Sequence, residues 1–475
     1  MKKVMLLITI LSMAIGLASC DTSLNPDDIN ANGFNIEPFE RFFDDSSMKT
    51  LTIKITEEKW LELDTAMVDY FVRYGQYRTD YMVEADASFE DDEGTIDIER
   101  VGFRTRGNLS RDRIRNDDGS LNLQHFKLSF HENYDEKNAK RTVFELEEID
   151  LKFNRNWDST YLTEKYSLHL FQSFGVFAAQ TTLVRLLIQI DDETHDYGIY
   201  TAFEPIDDNF IKRRLTKEAS QGNLYKTLWQ MYGPANLSHP IPSGAVGIKD
   251  ESRNYRPSYD LKTNKDVADH TPLRQFISEI NAKTGEDFIT YIENNFEVDM
   301  FLKYLAVGVL LGNPDDYRAM GNNYYLYQNS DSGKWMMIPY DYDHGMGQGW
   351  DGAPVFSNWT IDADIYTWGN LNASILNHPH YPHVLVDKLL NIPAYQLQYE
   401  DYLRELINPS NAYFSYDAFL AIYQTQQALY DSYTLPSMMP LSFGLRNIES
   451  YMDSKVASIQ VQLDYYHNHP EDRGF

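Results

Sequence analysis

The segment WMMIPYDYDHGMG, Trp335 to Gly347, ends an apolar run at a proline and then places Asp341 and Asp343 one residue apart, ahead of His344 and two glycines. Carboxylates so close together suit a hard divalent cation, which takes oxygen ligands. Just upstream, NPDDYRAMGNN supplies Asp315, Asp316, Asn322 and Asn323. NYYLYQ reads as a strand, NSDSG as a turn and KWMMIPY as the returning strand. A hairpin brings its ends together, so the entering asparagines and the leaving aspartates share one end with the loop acids. An amide oxygen before a hairpin, a carboxylate after it and a further aspartate to accept a hydroxyl proton form a metal-and-base plan used in phosphoryl transfer. The competing reading is turn chemistry alone, because Asp and Asn favour turns and caps.

The elements that must position these residues follow from periodicity. Alternation in MKTLTIKI (48–55), TIDIERVGFRTRG (95–107) and HFKLSF (125–130) predicts strands. TTLVRLLIQID and YGIYTAFEPI predict a hairpin, and NLYKTLW (223–229) a further strand. Helices are expected at 56–74 with Thr56 as N-cap, and at 159–175 with Ser159 or Thr160 as cap and Gly175 as stop. The second half is more helical. Residues 266–297 carry two helical patterns, and Asp299 caps MFLKYLAVGVLLG, apolar almost all round and therefore buried. Four more helical patterns follow residue 380. The expected architecture is α+β and bilobal, β-rich over about 48–230 and helical over about 260–470.

Composition narrows the function classes. The 475 residues, 43% hydrophobic, suffice for one large domain or two smaller ones. A net charge of −29 argues against nucleic acid, whose phosphates need Lys and Arg, and favours cations or basic peptides as partners. MKKVMLLITILSMAIGLASC has the charged start and short apolar stretch of a secretory signal, and its ending resembles a lipobox. Cys20, the sole cysteine, is the expected lipid carrier, which would anchor the protein to a membrane of the cell envelope without crossing it. Residues 1–20 are then a lipoprotein signal and 21–47, polar and acidic, a flexible tether.

In these residues the chain resembles the spore-coat protein H (CotH) kinase family. VGFRTRGNLSR (101–111) looks like its Arg-x-Arg-Gly-Asn-x-Ser motif, and HFKLSF like the lysine strand soon after. LTEKYSLHLFQSFGV, YGIYTAFEPIDDNFIKRR, GNLYK (222–226), the NNYYLY hairpin and IPYDYDHGMG follow in order. The resemblance implies an atypical protein-kinase-like fold over 48–470, ATP, Mg²⁺ or Mn²⁺, and phosphorylation of Ser/Thr on an envelope or secreted protein, in particular a basic, Ser-rich one. By motif position Asp316 looks like the catalytic base, with adjacent Asp315 as alternative. Asp341 looks like the metal aspartate, joined by Asn323 and Asp343, with Asn322 as the alternative asparagine. Arg104, Arg106, Asn108 and Arg111 are expected at the ATP phosphates, because guanidinium binds phosphate bidentately. Lys127 is the first choice for the ATP lysine and Lys226 the second. Glu164, on the following helix, is either its partner or a surface charge. GMGQGW (345–350) reads as a flexible segment, and HPHYPH (378–383) as a loop rather than a metal site.

Two other classes fit the same residues. A non-catalytic surface lipoprotein would keep the fold and bind Ca²⁺, glycan or peptide. A metal-dependent phosphoester hydrolase would use the same oxygen ligands.

Overall fold

The computed structural model describes residues 32–108, 110–132, 134, 137–156, 158–349, 357–369, 383–433 and 443–474. Cys20, the signal segment, His378 and His380 lie outside the described residues. The first half is a closed barrel. Helix α1 (Ile36–Phe43) leads into β1 (Thr50–Ile55), α2 (Glu57–Tyr74), β2 (Val83–Asp91), β3 (Gly94–Thr105), β4 (Phe126–Ser129) and β5 (Glu148–Phe153). Helix α3 (Thr163–Ser173), β6 (Thr181–Ile190) and β7 (Glu193–Phe203) complete it. The strand order is β1-β2-β3-β4-β5-β7-β6, and β1 pairs in parallel with β6 to close the ring. Closure leaves no open sheet edge. Strict alternation fills the interior. In β2, Val83, Ala85, Ala87 and Phe89 are buried, and they meet Phe103, Phe126, Leu128 and Leu151 from the neighbouring strands.

Register places polar residues in rows on the outer face. Arg104 pairs with Lys127, and Lys127 with Asp150. Lys152, two residues on and therefore on the same face, pairs with Thr201.

The second half begins with α4 (Asp208–Arg214) and a five-stranded sheet ordered β12-β11-β8-β10-β9. Its strands are β8 (Leu224–Thr227), β9 (Val246–Gly247), β10 (Tyr259–Leu261), β11 (Tyr324–Gln328) and β12 (Trp335–Pro339). Between β10 and β11 run α5 (Thr271–Ala282), α6 (Gly285–Asn295), α7 (Val298–Leu311) and α8 (Tyr317–Met320). Then come α9 (Ser357–Asp362), α10 (Val384–Leu389), α11 (Pro393–Ile407), α12 (Tyr416–Tyr430) and α13 (Leu445–Asn468). Helix α7 is buried along most of its length, as its all-round apolar sequence requires. Helix α3, although inserted into the barrel's chain order, packs with this second core through Phe171 stacked on Tyr304.

Several expectations change. Part of the expected tether is helix α1, whose Phe39, Phe42 and Phe43 are buried, Phe42 against Phe89 and Phe144. Asp158, not Ser159 or Thr160, serves the start of α3, its carboxylate accepting from the backbone N–H of Leu162 (3.0 Å) and Thr163 (2.9 Å). Asp299 lies inside the first turn of α7 and pairs with Lys303 at 3.0 Å instead of capping. The strand expected at 223–229 belongs to the second sheet, beside the hairpin. Residues 345–349 are not loose: Met346 is fully buried and Tyr451 lies against Gly347.

Candidate active site

The turn after β12 delivers Tyr340 to His344 to the barrel's outer face. Asp341 takes a left-handed backbone, φ +60°, and its carbonyl accepts from buried Asn313 at 3.2 Å. Its carboxylate meets Lys152, whose Nζ donates to Asp341 Oδ1 at 2.6 Å, Glu164 Oε2 at 2.6 Å and Asp343 Oδ2 at 3.1 Å. Oxygens of Glu164, Asp341 and Asp343 all lie within 4.8 Å of one another, the one such carboxylate group among the described residues. Asn156 steadies the turn by donating to the carbonyl of Asp343 at 2.8 Å.

Three carboxylates share one ammonium here. Burial disfavours the charged form of Lys152, but Asp341, Asp343 and Glu164 hold its pKa well above the ordinary value. Burial also works against ionised Asp341, and Lys152 overcomes it, so this carboxyl stays well below the usual range. Glu164 is raised by burial and by both aspartates, against the pull of Lys152. The group thus carries more carboxylates than one lysine satisfies.

The acid pair divides its labour. Asp315 is partly exposed and held by both asparagines: Asn322 Nδ2 donates to Oδ1 at 2.8 Å, and Asn323 Nδ2 to Oδ2 at 2.9 Å. Burial raises Asp315 to about 7, His344 and Asn322 oppose that rise, and Asp341 and Asp343 reinforce it. Asp316 turns inward. It is 1% exposed, caps α8 by accepting from the Ala319 N–H at 2.8 Å, and accepts from the Tyr342 hydroxyl at 3.3 Å. Asp315, not Asp316, is therefore the loop acid that faces the carboxylate group.

The asparagines also change role. Asn322 commits its carbonyl oxygen to the Trp229 N–H (2.7 Å), and Asn323, buried and at φ +52°, aims its amide nitrogen at Asp315. Both orient Asp315 rather than join Asp341. The oxygen set brought together is Glu164, Asp341 and Asp343.

Arg104, Arg106, Asn108, Arg111, Lys127 and Lys226 all line one cavity of about 410 Å³ between the barrel and the second sheet. Arg106 has its Nε 3.2 Å from Asp150, and its Nη2 donates at 2.7 Å to the hydroxyl of Tyr340, the residue before Asp341. Lys127 contacts Glu148 and lies 3.2 Å from Asp150; it does not meet Glu164. Lys226 sits over the Tyr340 ring at 4.2 Å.

The family model described as CotH kinase protein matches residues 103–474. The chain belongs to this family. This CotH-family chain is 23% identical over 227 residues to the inner spore coat protein H of Bacillus subtilis, covering 47% of the chain and 56% of that protein. It is 25% identical over 195 residues to the invasin CotH2 of Rhizopus delemar, covering 40% of the chain and 30% of that protein. The chain thus spans less than two thirds of either curated relative. A solved structure of the Helicobacter pylori proinflammatory kinase CtkA aligns over 68% of the chain and 92% of its own length, at 15% identity. Its TM-score of 0.27 is too low to support an argument.

In the CotH-family chain the lysine that sequence reasoning missed is Lys152. Its signal was present: EIDLKF alternates, so Asp150 and Lys152 face out together, and Glu164 follows 12 residues later at the start of a helix. Asn156 and Asn313 were also missed, because each acts through contacts far apart in sequence.

Proposed function

We propose that this kinase-like chain is a metal-dependent phosphotransferase that moves the γ-phosphoryl group of ATP to a Ser or Thr hydroxyl of a protein. The observation that carries the reading is the meeting of Lys152, Glu164, Asp341 and Asp343. A lysine paired with a helix glutamate beside a metal-binding aspartate is the constellation of kinase sites. The donor set fits Mg²⁺ or Mn²⁺: all oxygen, charge-rich and only partly buried. Asp341 and Asp343 would hold the cation with Glu164 beside them, and the bound cation would neutralise phosphate charge. Lys152 and Arg106 would bind and orient the phosphates, displacing part of their present ion pairing. Asp315, fixed by Asn322 and Asn323, would accept the proton of the acceptor hydroxyl. Lys127 then serves the cavity wall by neutralising Glu148 and Asp150.

The leader and Cys20 support export and a lipid anchor at the cell envelope. That location also favours a second reading, a non-catalytic surface binder, because ATP is scarce outside the cytoplasm. Incubation with radiolabelled ATP and Mg²⁺ or Mn²⁺ separates the readings. Label on protein is expected. Release of phosphate with no labelled protein would favour a hydrolase, and the absence of both, with no shift in melting temperature on adding nucleotide and metal, would favour the binder.

A further inference from the structure

Helix α3 brings Glu164 to Lys152 and is tied, one residue on, to the N-terminal part of the chain. Successive residues of a helix lie about 100° apart around its axis, so Lys165 faces a different neighbour from Glu164. Its side chain is 8% exposed; its Nζ lies 2.6 Å from Asp45 Oδ2 and donates at 2.6 Å to the Thr181 carbonyl at the start of β6. Asp45 belongs to residues 44–49, the turn that joins α1 to β1. Its other oxygen, Oδ1, accepts from the Thr182 hydroxyl at 3.1 Å, and its carbonyl accepts from Gln426 of α12 at 3.2 Å. Lys49 closes the same turn. It is 1% exposed, its N–H donates to the Tyr430 hydroxyl at 3.0 Å, and its Nζ donates to Thr182 Oγ1 at 3.2 Å and to the Asp44 carbonyl. Tyr430, at the end of α12, donates in turn to the Leu183 carbonyl at 2.6 Å.

The titratable groups around this contact are Asp44, Asp45, Lys49, Lys165 and His169. Asp44 is taken up by Ser46, whose N–H and hydroxyl donate to it at 3.0 and 2.5 Å. Burial and Lys165 lower Lys49, against Asp45, Asp44 and Asp91; burial and Lys165 also lower His169, against Asp45. Among the described residues Asp45 is the one carboxylate paired with Lys165. A buried ammonium that loses its carboxylate is costly. Turning α3 about its axis to withdraw Glu164 would also draw Lys165 off Asp45 and Thr181. The apolar contacts of α3, Phe171 on Tyr304 and Tyr166 against Phe419, hold it to the second core, and the ion pair adds a directional tie at the turn that carries Glu164. Asp45 precedes residue 103, where the match to the family model begins, so the tie joins this chain's own N-terminal segment to a helix within the matched region.

We infer that residues 44–49 form a strap that sets α3, and that Asp45 and Lys165 are positioning residues holding Glu164 against Lys152. A lysine–glutamate pair must be in place for transfer at a kinase site, and the setting of the helix that carries the glutamate is a means of control. The consequence for turnover rests on the phosphotransfer reading; the tie itself does not. Release of the strap parts Glu164 from Lys152 and lowers turnover without removing any group from the carboxylate set.

The test uses the full chain, with hydrogen exchange followed at the amides of residues 166–173 and label transfer from ATP measured beside it. Asp45→Asn and Lys165→Met, the second of which removes the buried charge itself, each speed exchange in α3 and lower kcat by ~10-fold or more. Asp45→Glu keeps the carboxylate and retains both properties. In a Glu164→Gln background Asp45→Asn causes no further loss of transfer, because residues that act through one group are not additive. Lys54→Gln, which removes an exposed lysine paired with Asp97, leaves both readouts at the wild-type level. Unchanged exchange in α3 for both Asp45→Asn and Lys165→Met, or a loss of transfer that multiplies in full with Glu164→Gln, overturns the strap. Faster exchange spread equally over the barrel strands marks general destabilisation and also overturns it. A wild type that transfers no label overturns the phosphotransfer reading instead, and the exchange measurement then decides the strap alone.

Discussion

Two charged clusters of the molecule are unbalanced in opposite senses. At one end Glu164, Asp341 and Asp343 share the single ammonium of Lys152. At the other Asp80 contacts Arg104, Arg111 and Lys249. Between them Arg106, Lys127, Glu148 and Asp150 pair with one another. The middle is a settled ion-pair network; each end is left short of one sign. Buried charge without a full complement costs stability, and such imbalance concentrates where a ligand completes it. The acid cluster suits a cation and the basic cluster an anion.

The largest expected effect lies at the acid end. Asp341→Asn should lower metal-dependent label transfer by ~10³-fold, about 4 kcal/mol of transition-state stabilisation. Next comes the acid pair. Asp315→Asn should reduce kcat by ~10²-fold or more. Asp316→Asn should retain most activity, because Asn caps a helix about as well as Asp; the reverse ranking, measured on folded variants, would return the base to Asp316.

The basic end carries its own pH signature. Lys249 is held near 7 by burial, Lys262 and Arg256, against Glu251, Asp260 and Asp80. The unfolded chain holds this proton more tightly, so the lysine's contribution to stability rises with pH from about 7 toward 10.5, and Lys249→Gln should flatten that rise in denaturant melts. The smallest effect belongs to a lysine outside the cleft. Lys455 is fully buried, donates to the Thr360 carbonyl at 2.6 Å, and is lowered from 10.5 to about 7 by burial and Arg318. The unfolded chain binds this proton more tightly, so the residue's contribution to stability rises with pH from about 7 toward 10.5. The slope is at most about 1.4 kcal/mol per pH unit. Lys455→Met should flatten this part of the profile in denaturant melts.

The order of motifs in the sequence was enough to bring Asp341 and Asp343 to one hairpin end, because hairpin ends are local features, but it left Glu164 between a lysine partner and a surface charge. It could not choose between Asp315 and Asp316. Both sit in one turn, and only the packing of Tyr342 against α8 shows that Asp316 faces inward. Nor could it choose the lysine. Lys127 and Lys152 both point out of the barrel, but the order β5-β7-β6 sets β5 beside the helix that carries Glu164. Helix α1 was hidden by its polar surroundings, although Phe39, Phe42 and Phe43 have the spacing of an apolar helical face. Arg104 and Arg111 were expected to bind phosphate; their ion pairs with Asp80 arise from a contact between chain segments that no local pattern marks.

The central claim, that the acid end of the cleft is where phosphoryl transfer occurs and Lys152 is its phosphate lysine, is tested most directly by comparing two substitutions. Label transfer from ATP is measured for Lys152→Met and Lys127→Met, each checked for native circular dichroism. The account predicts a ~10³-fold loss for Lys152→Met and a loss of no more than ~10-fold for Lys127→Met. Undiminished transfer by Lys152→Met, with activity abolished in Lys127→Met, would contradict it.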